Sequence, residues 1–510
     1  MSSVDINSSS IPLGSHTLDI YSIDRAGNTS NAIRMNIIKP KVFNVKDYGA
    51  KGDGNTDDTL AIWNAIQAAR ANGNGIIYFP SGVYFISHNH PELTNPLNPN
   101  SPIFRLRASN VTSAVPLNIV FLGDSPTQSI LLKDYGSLFD TADVSNIVWK
   151  NLGFKWFQPS IDITVTYNNQ TKTFHGYDAP RAIWFRGWWG TGSTIRMWAE
   201  SRNIAIENCI YEGSLSPDPA YTYPYGAASV ISCDNNSLVT NVTVKNCIFS
   251  KVQLDGAEFT QTPDPSRSLY PPKIGNIYFL NNEIYDIASN GHQVGSGISI
   301  GVNIEGMQGI VRNNKFVGSP YISVGIGWGG SNTIFEDNTI LNCATGMHLI
   351  RANNCIVRRN IIDLSGHTNV VSETPQSGIS FNGGQNITIE NNTVTGAKRL
   401  GIRIATVTNA EIADNITISS NNIYDNGRNT TLSGDQRAGI RIHTPDQTSY
   451  PITNIVITKN TVRNTLGTQV YGIYVTNTSS VSVTYNKISG HGANNLVVPA
   501  GTYVEGNELS

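Results

Sequence analysis

Hydrophobic and polar residues alternate in short segments along most of this chain, so we expect many strands and no long helices. Seven segments combine a glycine with two apolar residues that flank one variable position, as in "GISIG" at 297 and "GIRIH" at 439. A period of two places the apolar residues on one face of a strand and the variable residue on the other. The pattern therefore predicts short strands that are each buried on one side.

A second repeated feature is an asparagine that precedes an apolar residue by two positions, in a turn between strands. In a parallel β-helix each coil keeps its strands and one tight turn while other loops vary, which gives a fixed local motif at a variable period. Because stacked coils lie about 4.8 Å apart, we expect these amides to form a hydrogen-bonded ladder, and Asn tolerates the left-handed backbone that such a turn needs. The pattern predicts an all-β, single-stranded parallel β-helix. Its eleven turns are placed at Asn208, Asn246, Asn282, Asn314, Asn338, Asn360, Asn392, Asn421, Asn460, Asn486 and Asn507.

Residues 41–90 have a different pattern, in which a helix is followed by two strands. Asp57 and Asp58 would begin this helix, where we expect carboxylates to cap it and not to form a catalytic pair. The segment 43–87, "FNVKDYGAKGDGNTDDTLAIWNAIQAARANGNGIIYFPSGVYFIS", closely resembles the pectate-lyase-3-like N-terminal cap of the pectin-lyase-like β-helix superfamily, in the branch of polygalacturonase-like, glucanase, epimerase and tailspike proteins. The resemblance implies a right-handed β-helix with an N-terminal capping helix. The predicted apolar stripe of this helix is Leu60, Ile62, Trp63, Ile66 and Ala69.

The first 40 residues alternate apolar and polar positions around a Gly-Asn turn, as a hairpin does. They resemble the last two strands of a bacterial immunoglobulin-like module, and an ordinary strand pair packed on the main domain is the alternative. We therefore expect a module fragment or linker at 1–40 and a β-helix catalytic domain at 41–510, with 41–90 as its cap.

Composition and charge restrict the partners. The net charge of -2 offers no basic face for phosphates, so we do not expect nucleic acid as a partner. The chain has no apolar run of about 18 residues, and its start lacks a signal-peptide pattern and looks trimmed. Its five cysteines are odd in number and form no C-x-x-C pair, so they are expected to be small buried residues. We expect a secreted or cell-surface bacterial monomer with a polysaccharide substrate, no membrane partner, and neither cofactor nor metal.

The variable positions of the repeated strands form a vertical stripe in which carboxylates fall on neighbouring coils. Carboxylates on adjacent coils start about 4.8 Å apart along the axis, and such pairs raise one pKa, which separates a general acid from a base. The alternative is that each is a solvated turn carboxylate. The predicted catalytic residues are Asp234, Asp255, Glu258 and His292. The predicted stripe is Arg196, Asp234, Glu258, Ser299, Gly325 or Gly327, His348, Ser380, Arg403, Arg441 and Tyr474.

Aromatic residues are dense beside these carboxylates, and sugar rings stack on exposed aromatic rings through their C–H faces. Burial in the core is the alternative, but "RGWWGTG" reads as a glycine-rich loop. The predicted substrate-binding residues are Arg196, Trp198, Trp188, Trp189, Trp328, His348, Arg351 and Arg403.

Two short segments are similar to polygalacturonases. "LDGAEF" at 254–259 is similar to their Asn-Thr-Asp-Gly-Phe-Asp segment, and "GHQVGSGISIG" at 291–301 looks like their Gly-His-Gly strand with an insertion. The resemblance implies a catalytic carboxylate at Asp255 and an assisting histidine at His292. The family's later Asp-Asp pair has no counterpart, and its Arg-Ile-Lys is at best echoed far downstream, so polygalacturonase activity itself is not expected.

The function predicted from the sequence is that of a secreted glycoside hydrolase that acts inside a polysaccharide chain by carboxylate acid and base catalysis. A lyase or C5-epimerase is the first alternative. It needs a cation and a base beside a uronate carboxylate, for which Arg196, His348, Arg351 and Arg403 are available. The second alternative is a glycan-binding surface protein or tailspike-type adhesin.

Overall fold

Three long parallel sheets form the body of the molecule, and the chain visits them in the same order in every coil. The computed structural model describes residues 14–20, 26, 29–98, 101–108, 115–156, 162–175, 182–186, 201–213, 231–233, 239–251, 256–260, 275–285, 300–305, 308–319, 322–326, 332–367, 376–406, 412–491 and 494–510. Every strand of the three sheets pairs in parallel with the strands of the coils before and after it. This is the architecture of a parallel β-helix.

Sheet 1 consists, within the described residues, of Val42–Asn44, Gly75–Phe79, Val115–Gly123, Val144–Lys150, Ser201–Glu207, Val239–Lys245, Asn276–Leu280, Gln308–Arg312, Ile334–Glu336, Ile356–Arg358, Gly384–Glu390, Ala413–Ser419, Ile452–Thr458, Val481–Thr484 and Tyr503–Glu505. Sheet 2 consists, over the same part of the chain, of Asp53–Asp57, Gly82–Ile86, Ser129–Lys133, Gly153–Trp156, Ile210–Glu212, Ile248–Ser250, Glu283–Tyr285, Lys315–Val317, Thr339–Leu341, Ile361–Asp363, Thr393–Thr395, Asn422–Tyr424, Thr461–Arg463, Lys487–Ser489 and Glu508–Leu509. Sheet 3 consists, again of described residues, of Phe104–Arg107, Phe139–Ala142, Ile183–Arg186, Ile231–Cys233, Ala257–Thr260, Ile300–Glu305, Ile322–Ile326, Thr345–Ile350, Ile379–Asn382, Ile402–Ala405, Ala438–His443, Tyr471–Thr476 and Leu496–Val497.

One column of the core is a ladder of buried asparagines in the turn between sheets 1 and 2, as the sequence predicts. The backbone N–H of each member donates to the side-chain oxygen of the next, for example from Asn338 to Asn360 at 3.0 Å and from Asn360 to Asn392 at 3.0 Å. These amides satisfy backbone groups that the turn would otherwise leave unpaired inside the molecule. The ladder comprises Asn282, Asn314, Asn338, Asn360, Asn392, Asn421, Asn460, Asn486 and Asn507.

The prediction was wrong for two of the eleven asparagines, which are not members of this ladder. Asn208 and Asn246 lie in the neighbouring column, where both have left-handed backbone. Cys247 takes the ladder position of its coil, and its N–H donates to Asn282 at 2.9 Å. The left-handed residue is thus the one before each ladder asparagine, and it can even be Arg359, so the prediction that the ladder residue itself is left-handed was also wrong.

A second, exposed asparagine ladder, which was not predicted from the sequence, lies in the first part of the sheet 1 strands or just before them. Its members have left-handed backbone and join through their side chains, as from Asn354 to Asn332 at 3.1 Å and from Asn386 to Asn354 at 2.8 Å. The sequence contains the corresponding repeat of an asparagine directly before an apolar residue, as in "SNIVW" and "QNITI".

The glycines of the repeated sheet 3 motif stand where adjacent coils approach most closely. A Cβ atom at Gly401 would lie 2.5 Å from the carbonyl oxygen of Gly439. At Gly346 it would lie 2.3 Å from the carbonyl oxygen of Gly378. No side chain fits at these positions, which explains why the motif begins with glycine.

The cap helix spans Thr59–Ala71, and its buried face differs slightly from the predicted stripe. Ile62, Ile66 and Ala69 are buried as expected, whereas Leu60 is 42% exposed. Short helical turns also occur at Val45–Tyr48 and Gly434–Gln436.

The two aspartates before the cap helix hold its surroundings by hydrogen bonds. Asp57 accepts from the N–H of Thr59, the first residue of the helix, at 3.0 Å, whereas the N-cap residue Asp58 makes no side-chain capping bond. Asp58 instead accepts from the N–H groups of Lys51 and Gly52, at 2.6 and 3.0 Å. Both aspartates therefore have structural partners.

Two antiparallel hairpins complete the described structure. The first joins Gly14–Ile20 to Ile33–Lys39, and its assignment to an immunoglobulin-like module and the domain boundary at residue 40 stay predictions. The second joins Asp162–Tyr167 to Gln170–His175. None of the helices in the described ranges is long and apolar enough to cross a membrane.

Candidate functional site

The outer face of sheet 3 carries a row of polar side chains in its C-terminal half. The strands alternate as predicted, because Met347, Ile402 and Ile440 are fully buried while the residues that follow them belong to the row. Backbone pairing places the members on consecutive coils, about 4.8 Å apart. The row consists of His348, Ser380, Arg403, Arg441 and Tyr474.

Backbone pairing continues this row toward the N-terminus through Gly325, Asn303, Glu258, Ser232 and Trp184. The predicted register was therefore right for Glu258 and Gly325. At three levels it was wrong, because the sheet 3 strand is formed by residues that lie between two and twelve positions from the predicted ones. Asn303 replaces the expected Ser299, Ser232 replaces Asp234 and Trp184 replaces Arg196.

Arg403 and Arg441 are stacked on neighbouring coils but have different partners. Arg403 donates from Nη1 to the hydroxyl of Ser380 at 3.1 Å and to the side-chain oxygen of Asn382. Arg441 donates from Nη2 to the carboxylate of Asp435 at 2.7 Å. The side chain of Arg441 is only 13% exposed. Burial lowers the pKa of this guanidinium, although it stays charged at neutral pH.

Two histidines flank these arginines, and both are held in the neutral form at pH 7. Burial and the charge of Arg403 lower the pKa of His348 to about 4. Burial, and then the charge of Arg441, lower the pKa of His443, whose Nδ1 lies 2.9 Å from the hydroxyl of Thr476. A neutral imidazole can accept a proton, and an anion bound beside His348 would raise its pKa.

A third arginine, Arg399, lies half-buried near the same face. Burial and the charge of Arg441 lower its pKa. The Nε atoms of Arg399 and Arg441 and the Nδ1 atom of His348 are buried and have no hydrogen-bond partner among the described residues. We call the set His348, Arg399, Arg403, Arg441, His443 and Asp435 the basic strip. It combines three guanidinium groups with one carboxylate, so it suits an anionic ligand.

Two tyrosines lie at the C-terminal end of the basic strip. The rings of Tyr471 and Tyr474 have centroids 4.7 Å apart, and Tyr474 follows Arg441 in the row. Aromatic rings beside charged groups are suited to the apolar faces and hydroxyl groups of sugars. The basic strip and these two tyrosines together therefore offer both charge and a stacking surface.

The structure describes three of the predicted site residues in full. It brings His348 and Arg403 onto one row, two coils apart, and places Arg351 just beyond the strand Thr345–Ile350 with left-handed backbone. Of Glu258 only the backbone is described. The other predicted residues lie outside the described residues and stay predictions: Asp234, Asp255, His292, Arg196, Trp188, Trp189, Trp198 and Trp328.

Arg441 was predicted in the stripe but not as a binding residue, and Arg399, His443 and Asp435 were not predicted as site residues. A repeat in the sequence could have shown the arginines. The pattern Arg-x-Gly-Ile-Arg-Ile occurs at 399–404 and again at 437–442, and it puts arginines at matching positions of two consecutive coils. Asp435 has no such pattern, and it reaches Arg441 from a short helical turn. Among the described residues, no group of three or more His, Cys, Asp or Glu side chains is placed to hold a metal ion.

Two sequence families match this chain. The family described as rhamnogalacturonase A/epimerase, pectate lyase-like matches residues 42–361, which is more than half of the chain, and a right-handed β-helix region matches residues 366–509. The prediction of a right-handed parallel β-helix in the pectin-lyase-like superfamily is confirmed. Alginate lyase 7 of Azotobacter vinelandii is 62% identical over 45 residues, which are 9% of this chain and 5% of that relative's length.

Solved structures share the fold at low sequence identity. The A-module of mannuronan C-5 epimerase AlgE6 from Azotobacter vinelandii is 18% identical, with a TM-score of 0.54 over 92% of this chain and 99% of that module. A mutant tailspike protein of the Escherichia coli bacteriophage HK620, in complex with a pentasaccharide, is 12% identical with a TM-score of 0.55, over 92% of this chain and 78% of that protein. Together with the family matches, these structures place the chain among right-handed β-helix proteins.

Proposed function

The chain belongs to the rhamnogalacturonase A/epimerase, pectate lyase-like family, and on that premise we propose that it is a lyase or C5-epimerase of a uronate-containing polysaccharide. The polysaccharide lies along the outer face of sheet 3. Since such polymers are found outside cells, the proposal includes an extracellular location. It replaces glycoside hydrolysis as the first choice, and hydrolysis becomes the second candidate.

The observation that carries this proposal is the composition of the basic strip. Proton removal beside a uronate carboxylate requires a cation that neutralises the carboxylate and a base that takes the proton. Arg403 presents a guanidinium held by two neutral partners, Ser380 and Asn382. His348 is neutral at pH 7 and lies two coils away in the same row. Negative charge from a bound uronate would raise the pKa of His348 toward the range of an effective base.

The proposed reaction begins when the base removes the proton from C5 of a uronate. In a lyase the electrons of that C–H bond form a C4–C5 double bond while the C4–O glycosidic bond breaks, and the leaving oxygen takes a proton. In an epimerase a proton returns to C5 from the opposite face of the ring. The relatives named as an alginate lyase and a mannuronan epimerase support this pair of reactions.

The test uses polymannuronate and polygalacturonate as substrates. Ultraviolet absorbance reports the double bond of a lyase product, and deuterium incorporation at C5 in heavy water, measured by NMR, reports epimerisation. Replacing Arg403→Gln should lower either activity at least about tenfold, because one charge-assisted contact contributes about 1.5–3 kcal/mol. Arg463→Gln is the matched control, since Arg463 stacks on Tyr424 in sheet 2, away from the basic strip. The proposal would be refuted if the protein produced no double bonds and no deuterium incorporation on any uronate polymer.

Glycoside hydrolysis is the second candidate, and the observation in its favour is the position of Glu258. Its backbone lies in the same row of sheet 3, between Ser232 and Asn303. The proposed acid and base remain Asp234, Asp255 and Glu258. Mass analysis decides between the candidates, because hydrolysis adds water to the products and a lyase does not. Under this candidate, Glu258→Gln abolishes the release of reducing ends, and full activity of that variant would count against it.

A further inference from the structure

A polar cavity lies at the other end of the molecule, under the hairpin Asp162–Tyr167 and Gln170–His175. It has a volume of about 370 Å³, which is within the range of small-ligand sites. One wall is the tip of the hairpin and the other is the turn 95–98. The cavity is lined by Tyr167, Asn168, Gln170, Lys172, Asn95 and Asn98, together with Leu97.

The two faces of the hairpin show that the cavity is a feature of its inner side. Backbone pairing puts Val165 opposite Lys172 and Tyr167 opposite Gln170, so these residues share the inner face. The outer face has a different chemistry, with the hydroxyls of Thr166 and Thr171 only 2.9 Å apart. The tip therefore overhangs the turn 95–98 with polar side chains and leaves a space between them.

The base of the hairpin fixes the shape of this space. Val165 and Phe174 are buried with Tyr135 and Leu97 in a small hydrophobic cluster separate from the main core. The rings of Tyr135 and Phe174 stack with centroids 4.4 Å apart, and the hydroxyl of Tyr135 donates to Pro96 at 2.9 Å. Because the cluster anchors both walls, the cavity is formed before any ligand binds.

The lining has the chemistry of a sugar-binding site. Amide side chains donate to and accept from hydroxyl groups, and the half-buried ring of Tyr167 offers a face for stacking. Lys172 is the one charged residue in the lining, and its Nζ donates to the carbonyl oxygen of Leu97 at 3.3 Å. We propose that this cavity binds one or two sugar residues of an acidic glycan, with Tyr167 under a ring and Lys172 facing a carboxylate.

The position of the cavity makes it a second site and not part of the basic strip. The hairpin leads into the sheet 3 strand Ile183–Arg186, whereas Arg403 lies seven coils further on, about 34 Å away along the axis. A polysaccharide bound at the basic strip would have to be long to reach it. The identity of the ligand as a uronate rests on the proposed function. The existence of the site rests on the hairpin.

The test measures binding by isothermal titration with tetramers of mannuronate, galacturonate and glucose, in the Arg403→Gln background that weakens the basic strip. We expect residual binding of the uronate tetramers. Tyr167→Ala should weaken it about tenfold, which is 1.4 kcal/mol. Lys172→Gln should weaken binding of the uronate tetramers and leave the glucose tetramer unaffected. Thr166→Ala, on the outer face of the same hairpin, is the control and should bind normally.

Two results would overturn the inference. One is that no tetramer binds in the Arg403→Gln background, and the other is that Tyr167→Ala and Lys172→Gln both bind as the Thr166→Ala control does. Lys172→Gln is not expected to unfold the hairpin, because it removes an exposed charge and leaves the hydrophobic cluster intact. Activity on polymers separates the two proposals. Binding at the hairpin without activity would refute the proposed function alone, and activity without this binding would refute the second site alone.

Discussion

Asn360 allows the contribution of the buried ladder to stability to be measured. Its side chain accepts from the backbone N–H of Asn338 at 3.0 Å and donates to the carbonyl oxygen of Phe335 at 3.0 Å and to Asn392 at 2.9 Å. Replacement by alanine leaves the N–H of Asn338 buried without a partner. One orphaned buried group costs about 1–3 kcal/mol and each of the two other lost hydrogen bonds about 0.5–1.5 kcal/mol, so we expect a loss of about 2–6 kcal/mol.

The control is Asn354→Gly in the exposed ladder. Asn354 has φ 55° and joins its neighbours through side-chain hydrogen bonds in solvent. Glycine keeps this backbone conformation, so we expect a loss of less than about 1 kcal/mol. Unfolding in guanidinium chloride is followed by circular dichroism. Fitting all variants with the same dependence on denaturant concentration gives the free energy of unfolding of each. Equal losses for the two variants would refute the argument that burial makes the ladder important.

A second replacement at the same position separates shape from charge. Asn360→Asp keeps the acceptor but directs a carboxylate at the carbonyl oxygen of Phe335. Burial should raise the folded-state pKa of this aspartate above its ordinary value of about 3.9. The folded state then binds more protons than the unfolded state, so the variant gains stability as the pH falls through the raised pKa. A variant equally stable at pH 4 and pH 7 would contradict a buried environment for this side chain.

Three further predictions concern structure elsewhere. Hydrogen bonding, first to Asp57, raises the pKa of His90 to about 9; NMR titration should give this midpoint, Asp57→Asn should lower it, and the stabilisation should be complete below about pH 6.5 and lost as the pH rises through 9. Gly401→Ala should lower the free energy of unfolding by about 1–3 kcal/mol, because its Cβ would meet the carbonyl oxygen of Gly439. Burial opposes ionisation of Glu336, but hydrogen bonds from three arginines outweigh it and lower its pKa; Glu336→Gln should cost about 1–3 kcal/mol at pH 7, and the wild-type advantage should vanish as acid titrates this carboxylate.

The fold was predictable because single residue types recur at equivalent positions of successive coils. Glycine at the close approaches and asparagine in the buried turns are each required by geometry that no other residue satisfies as well. The errors came where two columns lie side by side. Asn208 and Asn246 look like ladder members in the sequence, but they occupy the left-handed column beside it, and a one-residue shift cannot be read from composition alone.

The site was less predictable than the fold, because it includes contacts between the sheet 3 strands and the irregular segments that connect the strands. The sequence placed His348 and Arg403 on one stripe and the structure agrees. It did not reveal that Asp435 reaches Arg441, since that contact depends on the path of an irregular segment. Strand boundaries displaced by a few residues were enough to substitute Asn303 for Ser299 in the row.

Two arginine clusters in the described residues differ in a way that separates structure from function. Around Glu336, the guanidinium groups of Arg312, Arg358 and Arg359 meet a side chain that is only 2% exposed, so burial of the carboxylate explains their presence.

In the basic strip the balance is reversed. Burial and then the charge of Arg441 lower the pKa of Arg399, so these two guanidinium groups oppose each other. Asp435 offsets part of this through Arg441, while the Nε groups of Arg399 and Arg441 remain buried without protein partners in the part of the chain that the structure describes. A neutral residue at 399 would remove this repulsion. The arrangement is thus a cost to the folded protein that a bound polyanion would remove, and this argues that the repeated arginines serve ligand binding.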